Sequence, residues 1–176
     1  MNIFYLHPNP QTAARMHCDK HCVKMILEYA QLLSTAHRVL DGDDANPNLY
    51  KIAHKNHPST IWTRSSKQHY KWLFEHMIGL MEEYTYRYGK HHASERLIQH
   101  LSQYPNGISV GDFVDPPQCM PEYCKMDDTV LAYQNYYILE KADFATWKTR
   151  GVPLWYIKHM IMTQNQNDTM IGCSGK

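Results

Sequence analysis

The chain lacks most of the marks by which a short sequence declares its chemistry. It has no run of about 18 apolar residues, so no membrane-spanning helix and no membrane partner are expected. Its opening, MNIFYLHPNPQ, has neither a basic flank nor a long apolar centre, which argues against a secretory leader. There is no G-x-S-x-G elbow and no phosphate-cradling glycine loop, which argues against a serine hydrolase, a kinase or a Rossmann dinucleotide enzyme. None of the five cysteines forms a C-x-x-C pair, although Cys18 and Cys22 stand four apart, and reduced thiols in a cytoplasmic protein are expected. The H-E-x-x-H zinc signature is absent. His17 and His21 have its spacing, but Asp19 lies between them. Further ligands from Glu28, His54 or His57 are not demanded by anything in the sequence, so neither a metal nor another cofactor is expected. Repeats, linkers and low-complexity segments are missing too.

What remains is an ordinary globular composition. The 176 residues are 43% hydrophobic and 20% charged, enough for one domain with a real core. A net charge of +1 makes no case for nucleic acid by itself. The distribution says more: residues 1–74 carry nine Lys/Arg against five Asp/Glu, and residues 75–176 carry nine against twelve. The first half is therefore the side suited to an anionic partner. Twelve histidines and thirteen tyrosines suit a site that handles bases or sugars, or a small core coated with aromatics.

The pattern predicts an all-α fold: a compact single-domain bundle over residues 1–162 with two long helices, and a polar, flexible tail over 163–176. Residues 2–6, NIFYL, form a short arm or strand that His7-Pro8-Asn9-Pro10 breaks. Residues 12–40 contain no Gly or Pro and read as the first long helix, ended by Asp41-Gly42. A second runs from Ser59 or Thr60 to about Tyr88, ended by Gly89 and weakened locally at Gly79. Shorter helices are expected over 92–103, from Asp127 or Asp128 to about Trp147, and after Pro153. Residues 104–126, with four prolines and two glycines, form a long surface loop.

The first long helix organises the rest. Val23, Ile26, Ala30, Leu33 and Leu40 fall on one face, and Met25, Leu27, Tyr29, Leu32 and Ala36 widen it until most of the circumference is apolar. One narrow stripe interrupts it: His17, His21, Lys24, Glu28, Gln31 and Thr35 lie within roughly 80° of arc. Charge on a buried helix needs partners or a wet cleft. Lys24 and Glu28 are four apart and make an ion pair, and the density of the stripe favours a cleft over a purely structural network. A carboxylate at Glu28 can stabilise an oxocarbenium-like sugar or activate water, with Lys24, His21 or Arg15 favouring its charge. Asn56, His57 and Arg64 would hold a phosphate or base edge, and Trp62, Tyr70 and Trp155 would stack.

In layout the chain resembles the phage endonuclease V type of pyrimidine-dimer DNA glycosylase. The marks occur in order over roughly residues 1–158: a short N-terminal arm; His21 seven residues before Glu28; the Asn56-His57-Pro58 turn before the middle helix; and Arg150, Pro153, Trp155 and Tyr156 late in the chain. The segments HCDKH (His17–His21) and RYGK (Arg87–Lys90) are similar to ones in small phage proteins loosely assigned to such glycosylases. The resemblance implies a compact helical fold, a flipped base, attack at the sugar C1′ and an essential glutamate, which Glu28 matches by position. It also implies an α-amine nucleophile on a threonine exposed by methionine removal. Here residue 2 is asparagine, too large for efficient removal of Met1, so a lyase step would need another amine, such as Lys24 in a buried setting.

The expectation is a glycosylase-like enzyme cutting the N-glycosidic bond of a damaged or modified pyrimidine in DNA or a nucleotide, in the host cytoplasm if phage-encoded. Glu28, Lys24 and His21 are the candidate catalytic residues. His17, Asp19, Lys20, Asn56, His57, Trp62, Arg64 and Trp155 are the candidate substrate contacts. Two rivals stand beside it: a transferase elaborating modified thymines, and a non-enzymatic binder of a nucleotide or host protein, such as a defence inhibitor. Neither oligomeric state nor lesion is legible.

Overall fold

The computed structural model describes residues 1–172, and side chains through residue 164. Among the described residues there are seven α-helices and no strand, so the all-α expectation holds. No helix there is long and apolar enough to cross a membrane. The expected flexible tail is helical as far as Gly172; residues 173–176 lie outside the description.

The first expected helix is two helices, α1 (Pro10–Met16) and α2 (Asp19–Leu40). His17 and Cys18 between them are extended, with ψ of 136° and 162°. Neither Gly nor Pro makes this break; distant side chains do. Arg87 donates to the carbonyls of Arg15 and His17 and to the Asp19 carboxylate, Trp147 Nε1 donates to the Met16 carbonyl, and the Asp19 N–H donates to the Thr146 carbonyl. The last carbonyls of α1 and the first turn of α2 thus find partners outside any continuous helix.

The second expected helix is also divided, into α3 (Pro58–Ser65) and α4 (Lys67–Tyr88). Ser66 is extended and its hydroxyl caps α4 at the His69 N–H, 3.2 Å away, while the Lys67 N–H turns aside to the Ser109 carbonyl. Gly89, at φ 64°, closes α4 in the left-handed region. Gly79 has a packing reason: a Cβ there would stand 3.0 Å from Ala14 Cβ, because α1 crosses α4 at that point. The expected helix over 92–103 is a 3-10 turn, Ala93–Leu97, running into the four-residue α5 (Ile98–Leu101).

The 104–126 segment is a loop apart from a 3-10 turn at Glu122–Cys124, but several residues pin it to the bundle. Its backbone bonds Trp62 Nε1, His69 Nε2 and the Tyr133 hydroxyl. Asp128 caps α6 (Thr129–Glu140) at the Leu131 N–H. This helix stops seven residues short of Trp147, because residues 144–150 are pulled onto the start of α2. The last helix, α7, spans Leu154–Gly172.

The N-terminal arm is not a strand. Ile3, Phe4, Tyr5 and Leu6 are nonetheless almost fully buried. Side chains replace a sheet ladder: the Phe4 N–H donates to the Tyr29 hydroxyl, Ser59 Oγ donates to the Met1 carbonyl, and Gln134 Nε2 donates to the Leu6 carbonyl.

A buried ion cluster holds these crossings. The Arg87 side chain is fully enclosed and donates to Glu83 and Asp19 at 3.0 Å each, and Glu83 also receives Arg150. Replacing Arg87 with methionine leaves two carboxylates and two helix-end carbonyls short of a partner. Loss of about 3–5 kcal/mol of stability is expected in urea denaturation. A loss under 1 kcal/mol would show that the cluster is not the fastening it looks to be.

Candidate functional site

The polar stripe of α2 divides into an enclosed half and an open half. His17 is wholly buried, with Nδ1 donating to the Ala13 carbonyl at 2.9 Å and Nε2 3.3 Å from the Tyr29 hydroxyl. Since Nδ1 carries the proton, Nε2 accepts from Tyr29 and the ring is neutral. Burial and the neighbouring His76 hold its pKa well below the ordinary histidine range. His21 is 6% exposed, stacked on Phe4 with ring centroids 4.2 Å apart, and bonded to the Tyr137 hydroxyl at 2.6 Å. Burial, with Lys141, Lys24 and Lys20 nearby, lowers its pKa to about 3. These two rings are core residues of the seam between arm, α2 and α6, and the expected catalytic role for His21 and binding role for His17 do not fit that position.

Asp19 is likewise engaged. Its carboxylate accepts from Arg87, from Thr146 Oγ1 and from the Lys148 N–H. Lys20 is exposed, its ammonium 4.3 Å from the centroid of Phe144. Trp62, expected to stack on a base, is 7% exposed, stacked instead on His69 at 4.4 Å, and bonded to the Val114 carbonyl. Tyr70 is also buried, between His37 and the Leu101 carbonyl. Trp155 is partly buried against Tyr137, and its Nε1 is enclosed without a partner.

The open half holds Lys24 and Glu28. Lys24 Nζ lies 3.2 Å from Glu28 Oε1, with the lysine side chain 65% exposed and the glutamate 17%. Lys24 is therefore not the buried amine that a lyase step through it would require. Across from α2, His57 caps α3 by accepting the Ser59 N–H on Nδ1, 3.1 Å away, which leaves Nε2–H as its donor. Its pKa is lowered, first by burial, then by the α-amino group of Met1 and by His54, with Glu28 acting the other way. The turn carrying His57 meets the N-terminal arm. Ser59 secures it twice, through its N–H to His57 and its hydroxyl to the Met1 carbonyl. The Asn2 side-chain oxygen beside them is enclosed and unpartnered. Asn56 is exposed next to the turn, and Arg64 is tied to the Lys55 carbonyl that precedes it.

Sequence reasoning missed Ser59 as an anchor, because a serine at the start of a helix reads as a cap. It also placed Val23 and Leu27 in the core, whereas each is 40% exposed on the outer side of α2. Four cavities of between 420 and 580 Å³ are lined by none of the candidate residues. Glu28 is partly exposed on α2 and lines none of these cavities, which suits a substrate that lies along the surface. Among the described residues no cluster of three His, Cys, Asp or Glu is placed to hold a metal ion.

A family model described as pyrimidine dimer DNA glycosylase matches residues 1–96. The match takes in the arm, α1 to α4 and the whole neighbourhood of Glu28, and leaves out the 104–126 loop, α6 and α7. No curated protein and no solved structure matches the chain.

The enclosed histidines set a pH dependence. His21 is lowered to about 3 and His76 to about 4, and His17 lies well below its ordinary value, with burial the largest cause in each. An unfolded histidine titrates near 6.5. Between that value and the folded ones the unfolded chain holds more protons, so stability is complete above about 6.5 and is lost as pH falls. The melting temperature followed by circular dichroism should drop steadily from pH 7 to pH 4. A flat profile over that range would contradict neutral, enclosed imidazoles.

Proposed function

The chain belongs to the pyrimidine dimer DNA glycosylase family, and on that premise we propose that it releases a damaged pyrimidine from duplex DNA with Glu28 as the catalytic carboxylate. The observation that carries this reading is that Glu28, a largely shielded carboxylate paired with the exposed Lys24, lies inside the matched segment.

The chemistry follows from the groups present. As the N-glycosidic bond breaks, positive charge develops on the sugar at C1′, and a fixed carboxylate beside it lowers the barrier. Glu28 is held by Lys24 on one side and is shielded from most solvent, so its charge is directed without being neutralised by a rigid partner. The pyrimidine departs with the bonding pair. His57 Nε2–H is a donor in the same neighbourhood, suited to a phosphate or to the departing base. Attack at C1′ by water leaves an abasic site. Attack by an amine gives, after ring opening, an imine that borohydride reduces to a stable link. The α-amine that the resemblance implies is one candidate, since the first carbonyl of the arm is fixed by Ser59. Lys24, being mostly exposed, serves as a cation beside Glu28 and toward DNA phosphates.

Glu28→Gln should lower base release from ultraviolet-irradiated duplex DNA by about 100-fold or more while leaving the melting temperature unchanged. Activity within a few-fold of wild type would remove Glu28 from the reaction. Borohydride trapping followed by peptide mass mapping separates the two routes. A link on residue 1 supports the α-amine, a link on Lys24 displaces it, and base release without a link supports water.

A further inference from the structure

The outer side of α2 carries two exposed apolar side chains and a lysine, Val23, Leu27 and Lys20, that the glycosylase reading does not use. Around the helix, Val23, Leu27, Lys20, Gln31, Lys24 and Glu28 follow one another within roughly 140°. Val23 and Leu27 are each 40% exposed, Lys20 and Lys24 are exposed, and Glu28 closes the stripe at its edge. A single exposed leucine needs no explanation. Two apolar side chains one turn apart, with lysines beside them and the candidate catalytic carboxylate next to one of them, do.

We propose that Leu27 is a wedge pressed into the base stack beside the nucleotide on which Glu28 acts, with Lys20 on a flanking backbone phosphate. The proposal rests on the glycosylase reading only for the role of Glu28. The charges choose the partner. Lysine is depleted where proteins dock on proteins, whereas phosphate contacts require it. Lys141 extends the positive run: its ammonium lies 4.4 Å from the Tyr136 ring, which stacks on Phe4 beside His21. Lys141, Lys24 and Lys20 all lower the pKa of the His21 ring, behind the larger effect of its burial. An apolar wedge next to a site that needs its base out of the stack has a direct use, since unstacking a step must be compensated by contact with the protein. The geometry also explains why Val23 and Leu27 are not turned inward: Met25, Ile26, Tyr29 and Leu33 already fill the core side of the same turns.

The test uses the whole protein and two duplexes, one undamaged and one bearing a thymine dimer with 2-aminopurine beside it. Anisotropy gives affinity and its salt dependence, 2-aminopurine fluorescence gives unstacking, and single-turnover assays give base release. Lys20→Ala should weaken binding to either duplex and reduce the salt slope by about 0.9. Leu27→Ala should keep the salt slope, lose the fluorescence rise and slow base release about tenfold. Leu131→Ala, which removes a similarly exposed leucine from α6, should behave as wild type. A Leu27→Ala protein that unstacks the dimer as well as wild type overturns the proposal, as does an equal loss in Leu131→Ala or a Lys20→Ala slope that does not move. If wild type unstacks DNA in a Leu27-dependent way but releases no base, the surface stands and the glycosylase reading falls. If Leu27→Ala releases base at the wild-type rate, the reverse holds.

Discussion

The guanidinium of Arg87 is the constraint from which the rest of the architecture follows. It is fully enclosed and spends its donors on the Arg15 and His17 carbonyls, the Asp19 carboxylate and Glu83. A charge so placed is tolerable only when densely partnered, and three of those four acceptors exist in the required positions only because the chain stops being helical at His17. Arg87 therefore fixes the angle between α1 and α2, and with it the approach of α1 to α4 at Gly79. Asp19, held from one side by Arg87, gathers Thr146 and Lys148 on the other, which draws the connection after α6 back over the same junction.

That junction is also where sequence reasoning ran out. The helical character of the chain, the capping of α6 by Asp128, the stop at Gly89 and the pairing of Lys24 with Glu28 are local, and local patterns carry them. The His17–Cys18 break is not local. Nothing in residues 12–40 discourages a continuous helix, and the groups that end it stand some 70 and 130 positions away. The same holds for the break at Ser66, whose carbonyl partner for Lys67 lies at Ser109. His17 and His21 misled for a related reason. A histidine on a wheel looks like a wet residue, but each finds its partners across the core, in Tyr29 and Tyr137, and stays neutral. Val23 and Leu27 misled in the opposite direction: their apolar character says nothing about which side of a crowded helix is already full.

Of the proposed site, the Lys24–Glu28 pair and the Asn-His-Pro turn ahead of a helix were legible as local patterns, whereas the packing of α3 on α2 was not. The N-terminal arm was legible only as an apolar run. What turns it into a fixed element is a set of single side-chain bonds from three helices, Tyr29, Ser59 and Gln134, which substitute for a strand partner.

The two ion pairs of α2 show how one helix serves both fold and site. Asp19 with Arg87 is enclosed, multiply bonded and costly to open, so it fastens. Lys24 with Glu28 sits where the lysine is mostly in solvent, and such pairs hold by less than about 1 kcal/mol. Weakness is the useful property there. On the proposed mechanism a phosphate would draw Lys24 away, and a sugar acquiring positive charge would take its place beside Glu28, with little lost on either exchange. A carboxylate as tightly bound as Glu83 would already have spent its charge. The division follows from depth along a single helix: its first turn lies under the returning chain, and its third turn leaves Glu28 partly open to solvent.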